Sequence, residues 1–225
     1  MAPKRKKTPV TRESAVDDAP KTKRTTRARV GAVTPTAADD TAANIRPAAM
    51  TTASKMVAFL RGVNIGGRTH SMKSISDALG AAGFTNTQTF LASGNVIFDT
   101  QVDNSSADTE RRVEVTLEEL FGCNIPVFVR SMNEVKQLEQ KIVRTTTAVN
   151  VAFLKEELTS EQRNTLEGLS TDEDELELLD RAFVWYSVTK MSESPLFKVS
   201  FEKKLGVPVT VRTVNTLRRI VKKFG

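Results

Sequence analysis

The chain has 225 residues, enough for one large domain or two small ones, with 39% hydrophobic residues and a net charge of +6. No apolar run approaches the roughly 20 residues needed to cross a bilayer, and the charged N-terminus has no apolar signal core. One cysteine, Cys123, excludes an internal disulfide, and with a single histidine, His70, only carboxylates remain to complete a metal site. These features predict a cytoplasmic protein with no membrane span, no metal and no cofactor.

The charge is segregated. Residues 1–55 hold 12 Lys and Arg against 5 Asp and Glu, whereas the remainder holds 21 against 22. Residues 1–55 are rich in Thr, Ala, Pro, Lys and Arg and show no apolar period, so they predict a disordered basic tail. The clusters Lys4, Arg5, Lys6, Lys7 and residues 21–29 would attract polyanions, nucleic acid among them. The equal alternative is a solvated tail with no dedicated partner, or an upstream extension from a misassigned start, since Met50 and Met56 lie just before the regular pattern.

From residue 56 onward the periodicity predicts two subdomains, 56–145 and 146–225. In the first, residues 56–60 read as a buried strand and 71–82 as a helix ended by Gly83. Residues 87–91 and 96–99 read as strands around Ser93-Gly94-Asn95, a glycine-containing hairpin loop. Residues 108–121 form a helix with Val113, Leu117, Leu120 and Phe121 on one face, followed by a strand at 125–130 and a helix at 133–143. The order then recurs: a strand at 149–154, a helix at 160–169, a hairpin of 175–179 and 183–188 turning at Asp180-Arg181, a helix at 195–205, a strand at 208–211 and a helix at 214–224. No sequence repeat accompanies the repeated order. The expected fold is α+β, two ferredoxin-like βαββαβ halves behind the tail, each small enough to need the other for a sufficient core.

Three motifs follow one another along the predicted fold: LRGVNIGG at 60–67, SGNVIF at 93–98 and EKKLGVPVTVRTVNT at 202–216. Together with VAFL at 151–154 they closely resemble the bacterial domain-of-unknown-function family sixteen-ninety-seven. The resemblance covers about residues 56–224. It implies two α+β subdomains and brings no established activity, cofactor or catalytic residue. The family's usual ending, T-x-R-N-W-N-T, is met by Thr210, Arg212, Asn215 and Thr216, with Thr213 and Val214 in place of Asn and Trp. If that pair packs, Val214 is a smaller core filler; if it holds a ligand, part of the contact is lost. Packing is the preferred reading.

In a ferredoxin-like sheet the first and third strands are antiparallel neighbours, so the end of the first lies beside the start of the third. Arg61, Asn64, Gly66 and Gly67 should therefore meet Ser93, Gly94 and Asn95 at one corner. Free N–H groups and a helix N-terminus there would suit an anion, and Arg61 would add a forked donor. A purely structural corner explains the same residues, because Gly permits positive φ and Asn and Ser close turns. The turn matches neither the P-loop nor the G-x-G-x-x-G fingerprint.

The other candidates read as structural. His70 is expected exposed, Cys123 a small core hydrophobe, the acidic run 171–177 a solvated turn without calcium-loop spacing, and Phe59 and Phe98 core packing rather than base-stacking aromatics. Residues 155–182 hold 3 basic and 10 acidic residues and 190–225 hold 9 and 2. These segments are solvated, or pair with each other, or Arg212, Arg218, Arg219, Lys222 and Lys223 form a basic face that works with the tail. The functional expectation is a non-enzymatic binding protein with polyanion or nucleic-acid affinity. Two alternatives stand beside it: an enzyme or sensor taking a small phosphorylated or carboxylated ligand at the glycine-rich corner, and a homo-oligomeric interaction module.

Overall fold

Two four-stranded antiparallel sheets, each with the strand order of a split βαβ unit, carry the structure. The computed structural model describes residues 53–63, 70–101 and 105–225. Residues 1–52 of the predicted tail, with Lys4, Arg5, Lys6 and Lys7, lie outside them, as do Asn64, Gly66 and Gly67 of the glycine-rich turn, while 53–55, read as tail, already belong to the first strand.

The first half runs β1 (Ala53–Leu60), α1 (Met72–Ala81), β2 (Thr85–Phe90), β3 (Asn95–Gln101), α2 (Ser106–Phe121), β4 (Val127–Ser131) and α3 (Met132–Lys141). The second repeats it: β5 (Ala148–Leu154), α4 (Ser160–Glu167), β6 (Asp174–Leu179), β7 (Ala182–Ser187), α5 (Phe201–Leu205), β8 (Val209–Thr213) and α6 (Val214–Phe224). The sheet orders are β2-β3-β1-β4 and β6-β7-β5-β8. Each central strand is buried on both faces, which is why residues 56–60 and 151–154 read as continuous apolar runs rather than alternating ones.

The alternation sorts these residues into separate cores. Met56, Ala58 and Leu60 face α1 and α2 with Ile75, Leu79, Val113 and Leu117. Ala152 and Leu154 face the other way in the second half, against Leu166, Phe201 and Leu205. Val57 and Phe59 meet Val151 and Phe153 in a shared core that also takes the apolar faces of α3 and α6. The Phe59 and Phe153 rings stack there, with centroids 4.1 Å apart. Each half thus completes its core on the other.

Local signals set the helix limits. Ser71, Ser105, Ser131, Thr159, Ser200 and Thr213 each cap a helix through a side-chain oxygen, and Ser131–Glu134 and Thr159–Gln162 form capping boxes. The single helix expected over 195–205 is divided. Pro195–Lys198 forms a 3-10 turn, Val199 is extended, and Ser200 starts α5 by accepting the Lys203 N–H. Other limits move by one to three residues, and α6 matches its expected span.

The two oppositely charged segments do not pair with each other among the described residues. Ion pairs run between the halves instead: Arg61–Glu202, Lys155–Glu114, Arg181–Glu134, Lys141–Asp180 and Arg218–Glu139. Phe59 and Phe98 are fully buried and present no face to a base. Cys123 is half-buried against the outer core of the first half, and exposed His70 lies edge-on to Phe121.

Candidate functional site

The first and second motifs converge as the topology requires. β1 pairs antiparallel with β3, Phe59 lies opposite Asn95, and the Leu60 N–H donates to the Gly94 carbonyl at 2.7 Å. Gly94 is held at φ +78°, and a β-carbon there would lie 2.8 Å from Val63 Cγ2 and 3.2 Å from Leu60 Cβ. Only glycine fits both the dihedral and the space.

The third motif reaches the same corner from the other half. Arg212, on β8, inserts its guanidinium and is 8% exposed. It donates to Asn95 Oδ1 at 2.7 Å, to the Leu60 and Gly94 carbonyls at 2.7 and 3.1 Å, and to Thr210 Oγ1 and the Val211 carbonyl at 2.9 and 2.8 Å. Asn95 Nδ2 donates to the Phe90 carbonyl and to Ser93 Oγ at 2.8 and 3.0 Å. Every residue that the three motifs contribute to this bundle of bonds faces a protein partner. Burial pulls the Arg212 guanidinium down to about 10, still cationic at neutral pH. The expectation that Arg212 belongs to an exposed basic face is therefore corrected: its donors hold the two halves together. Half-exposed Arg61 pairs with Glu202, whose other oxygen accepts the Val209 N–H at 3.0 Å.

The second half has the mirror arrangement. Arg130 on β4, 4% exposed, donates to the Leu154 and Arg181 carbonyls at 2.5 and 2.7 Å. Lys155 pairs with Glu114, which accepts the Val127 N–H at 2.9 Å. Here a carboxylate is added: Glu110 Oε1 lies 3.6 Å from Arg130 and accepts the Val129 N–H. Burial raises the Glu110 pKa, and burial with the neighbouring Arg181 charge lowers that of Arg130 to about 10.

Residues 53–184 match the family described as "Protein of unknown function (DUF1697)". The chain belongs to the DUF1697 family. A solved structure titled as conserved bacterial protein SP0830 from Streptococcus pneumoniae is similar in fold, with a TM-score of 0.61 at 18% identity over 76% of this chain and 99% of that one. No curated protein matches the chain.

Two open surfaces of this DUF1697 protein involve α6. On α6, Val214, Leu217, Ile220 and Phe224 are buried, and Arg218, Arg219, Lys222 and Lys223 are exposed. Arg218 lies 3.5 Å from Glu139, while the other three meet no carboxylate among the described residues. Arg219 and Lys223 lie over the Phe90 ring. Val214 is 6% exposed within the shared core, as the packing reading of its position expects, and Thr213 supplies the cap.

The second surface is a pocket of about 300 Å³ at the start of α6, lined by residues 144–150, Met191, residues 213–215 and Arg218. Asn150 is 1% exposed, and its Nδ2 has no hydrogen-bond partner. An unmet buried donor costs about 1–3 kcal/mol, so its position calls for a physical reason. In the register of the sheet Asn150 stands opposite Thr213, as Met56 stands opposite Ser131 in the first half. Sequence reading passed over it as part of a strand. The available signal was one amide inside the apolar run AVNVAFL.

Among the described residues no group of His, Cys, Asp and Glu could hold a metal ion. No helix among them is long and apolar enough to cross a membrane. The acidic run contains one fully buried carboxylate, Asp174, which accepts from Trp185 Nε1 and Ser194 Oγ, each at 2.7 Å.

Proposed function

We propose that this DUF1697 chain is a cytoplasmic, non-enzymatic binding protein whose partner is a polyanion, nucleic acid in the first place, held by the exposed face of α6 together with the basic N-terminal segment. The carrying observation is the placement of cations that meet no carboxylate among the described residues. Arg219, Lys222 and Lys223 are exposed at the end of α6, and Lys55 Nζ donates to the Phe224 carbonyl at 2.8 Å. The strand that follows the segment rich in Lys and Arg therefore begins beside the basic end of α6. The glycine-rich corner supports a ligand less well, because Gly94 and Asn95 already bond Arg212 and Arg61 already pairs with Glu202. The single free cysteine is in keeping with a reducing compartment.

Phosphate contacts make such binding fall steeply with salt, by about 10³–10⁵ between 50 and 200 mM when about 6–10 phosphates are engaged. Fluorescence anisotropy of a labelled oligonucleotide, titrated against the full chain and against residues 48–225, is the test. Binding by both, with a shallower salt slope for Arg219→Glu/Lys222→Glu/Lys223→Glu, is the expected result. No binding of the full chain at low salt would sink the reading, and binding that residues 48–225 lose entirely would assign it to the N-terminal segment alone.

A further inference from the structure

The joined edges of the two halves follow one plan, and one place in that plan is filled on only one side. β4 and β8 are the edge strands of their sheets, next to β1 and β5. Glu114 of α2 accepts the Val127 N–H on β4 and pairs with Lys155, and Glu202 of α5 accepts the Val209 N–H on β8 and pairs with Arg61. The next outward N–H on β4, that of Val129, goes to Glu110 at 2.8 Å, one helical turn before Glu114, and the same carboxylate faces Arg130 at 3.6 Å. The counterpart of Val129 on β8 is Val211. By the alternation of an antiparallel strand its N–H points outward with that of Val209, and it meets no side-chain acceptor among the described residues. The position one turn before Glu202 holds Lys198, which ends the 3-10 turn, and extended Val199 separates it from α5.

α2 runs for 16 residues and α5 for only 5, so the second half lacks the two turns that bring Glu110 to its strand. What they would cover is apolar and cationic. Val199, Val207 and Val211 are half-buried at the rim of the outer core, and Phe197 is 54% exposed. Lys198, Lys203 and Lys204 are exposed and meet no carboxylate among the described residues, and Arg212 meets only neutral oxygens. Such an edge fits a carboxylate carried on an apolar helical face, which is what α2 brings to β4. We infer that the open side of β8 is a docking surface for an acidic amphipathic helix of a partner protein. Its Glu or Asp takes the Val211 N–H and lies against Arg212, as Glu110 takes the Val129 N–H and lies against Arg130. The Arg212 donors are already used within the fold, so the partner carboxylate answers its charge. This surface uses none of the α6 cations of the polyanion reading.

The probe is a fluorescent peptide of residues 105–122, the α2 sequence with its cap, stapled between positions 111 and 115, which are exposed on α2, so that it is helical alone. Its anisotropy, titrated with the full chain, should rise to saturation. Glu110→Gln in the peptide should weaken binding by about tenfold, the loss expected of one hydrogen bond to a charged group. Glu114→Gln should matter less, because Glu202 already holds the matching place on β8. In the full chain, Val211→Pro removes the open N–H where an edge strand tolerates proline and should weaken binding similarly, with Trp185 fluorescence reporting the fold. Should that variant fail to fold, the two peptide changes decide on the unaltered protein. The triple reversal at Arg219, Lys222 and Lys223 should leave peptide binding intact. No saturable binding overturns the inference, as do equal effects of the two peptide changes or normal binding by folded Val211→Pro. Displacement of the peptide from the triple-reversal protein by an oligonucleotide would give the surface to a polyanion, and a dimer of the full chain dispersed by the peptide would give it to a second copy; either result also overturns the partner helix.

Discussion

Arg130 and Arg212 occupy matching places in the two halves, and each reaches across to the end of the other half's central strand and the tip of its hairpin. Arg130 takes the Leu154 and Arg181 carbonyls, and Arg212 takes those of Leu60 and Gly94. The reciprocity is that of an isologous interface drawn within one chain. The difference lies in what neutralises the cation. Arg130 has Glu110 at 3.6 Å, whereas Arg212 meets only neutral oxygens, with Asn95 in the decisive place. One fold therefore solves the same problem twice, once with an ion pair and once with dipoles.

That contrast is best broken by removing each arginine. Arg130→Met strands a buried carboxylate and should cost about 3–5 kcal/mol in urea unfolding. Glu110→Gln on that background should recover part of the loss. Arg212→Met strands only neutral acceptors and should cost about 2–3 kcal/mol, with no recovery from Glu110→Gln. An equal response of both variants to Glu110→Gln would show that the two anchors are not electrostatically distinct.

The hairpin tips differ in the same spirit. Gly94 and Arg181 both sit at positive φ, +78° and 40°, and both present a carbonyl to the opposing arginine. Gly94 also lies against Val63 and Leu60, so Gly94→Ala should cost about 2 kcal/mol from strain and overlap. Arg181→Gly relaxes the backbone but loses the half-exposed pair with Glu134, and should stay within about 0.5 kcal/mol of the parent. A large loss from Arg181→Gly would mean that its ion pair, not its carbonyl, joins the halves.

The βαββαβ order and the meeting of Leu60 and Val63 with Gly94 and Asn95 were legible because periodicity and strand antiparallelism fix them locally. The role of Arg212 was not. It sits in a charged stretch where an exposed basic face is the default, and its partners in the other half lie 117 to 152 residues away. Periodicity reports which face a residue takes on its own element, not what another half presents to that face. Asn150 escaped for a related reason, since a strand burying both faces tolerates one amide without breaking the pattern. The break between Lys198 and Phe201 was missed because Ser200 was read as helix interior rather than as a cap.

A subtler contrast is in pH dependence. Burial raises the Asp174 pKa, but hydrogen bonds from Trp185, Ser194 and Ser187 outweigh it and leave the carboxyl below its ordinary 3.8. Its contribution to stability is present above that value and lost as pH falls through the folded pKa. Burial leaves Glu110 above its ordinary 4.5, so its contribution has the opposite sign: present below 4.5 and lost as pH rises through the folded pKa. Trp185 is the only tryptophan and donates directly to Asp174, so acid titration followed by its fluorescence reads the second half. Asp174→Asn should flatten the acid limb of stability, and Glu110→Gln should flatten the limb above 4.5. An unchanged acid limb in Asp174→Asn would remove this account of the second half's acid sensitivity.

The smallest expected effect concerns Arg61, the cation of the glycine-rich turn. Its pair with Glu202 corresponds to Lys155 with Glu114, and all four side chains keep some exposure to water, 43% for Arg61. Each glutamate also accepts a strand N–H, from Val209 or Val127, and retains that bond when its cation is removed. Arg61→Ala and Lys155→Ala should therefore each cost less than about 1 kcal/mol, the range of exposed pairs, and the costs should be equal within error by chemical denaturation. The equality is the informative part. If Arg61→Ala alone proves costly, the guanidinium does something for the glycine-rich turn that an ammonium does not do for its counterpart. If both are nearly silent, the two halves are joined by the buried arginines and the stacked Phe59 and Phe153, and Arg61 is free to serve another purpose.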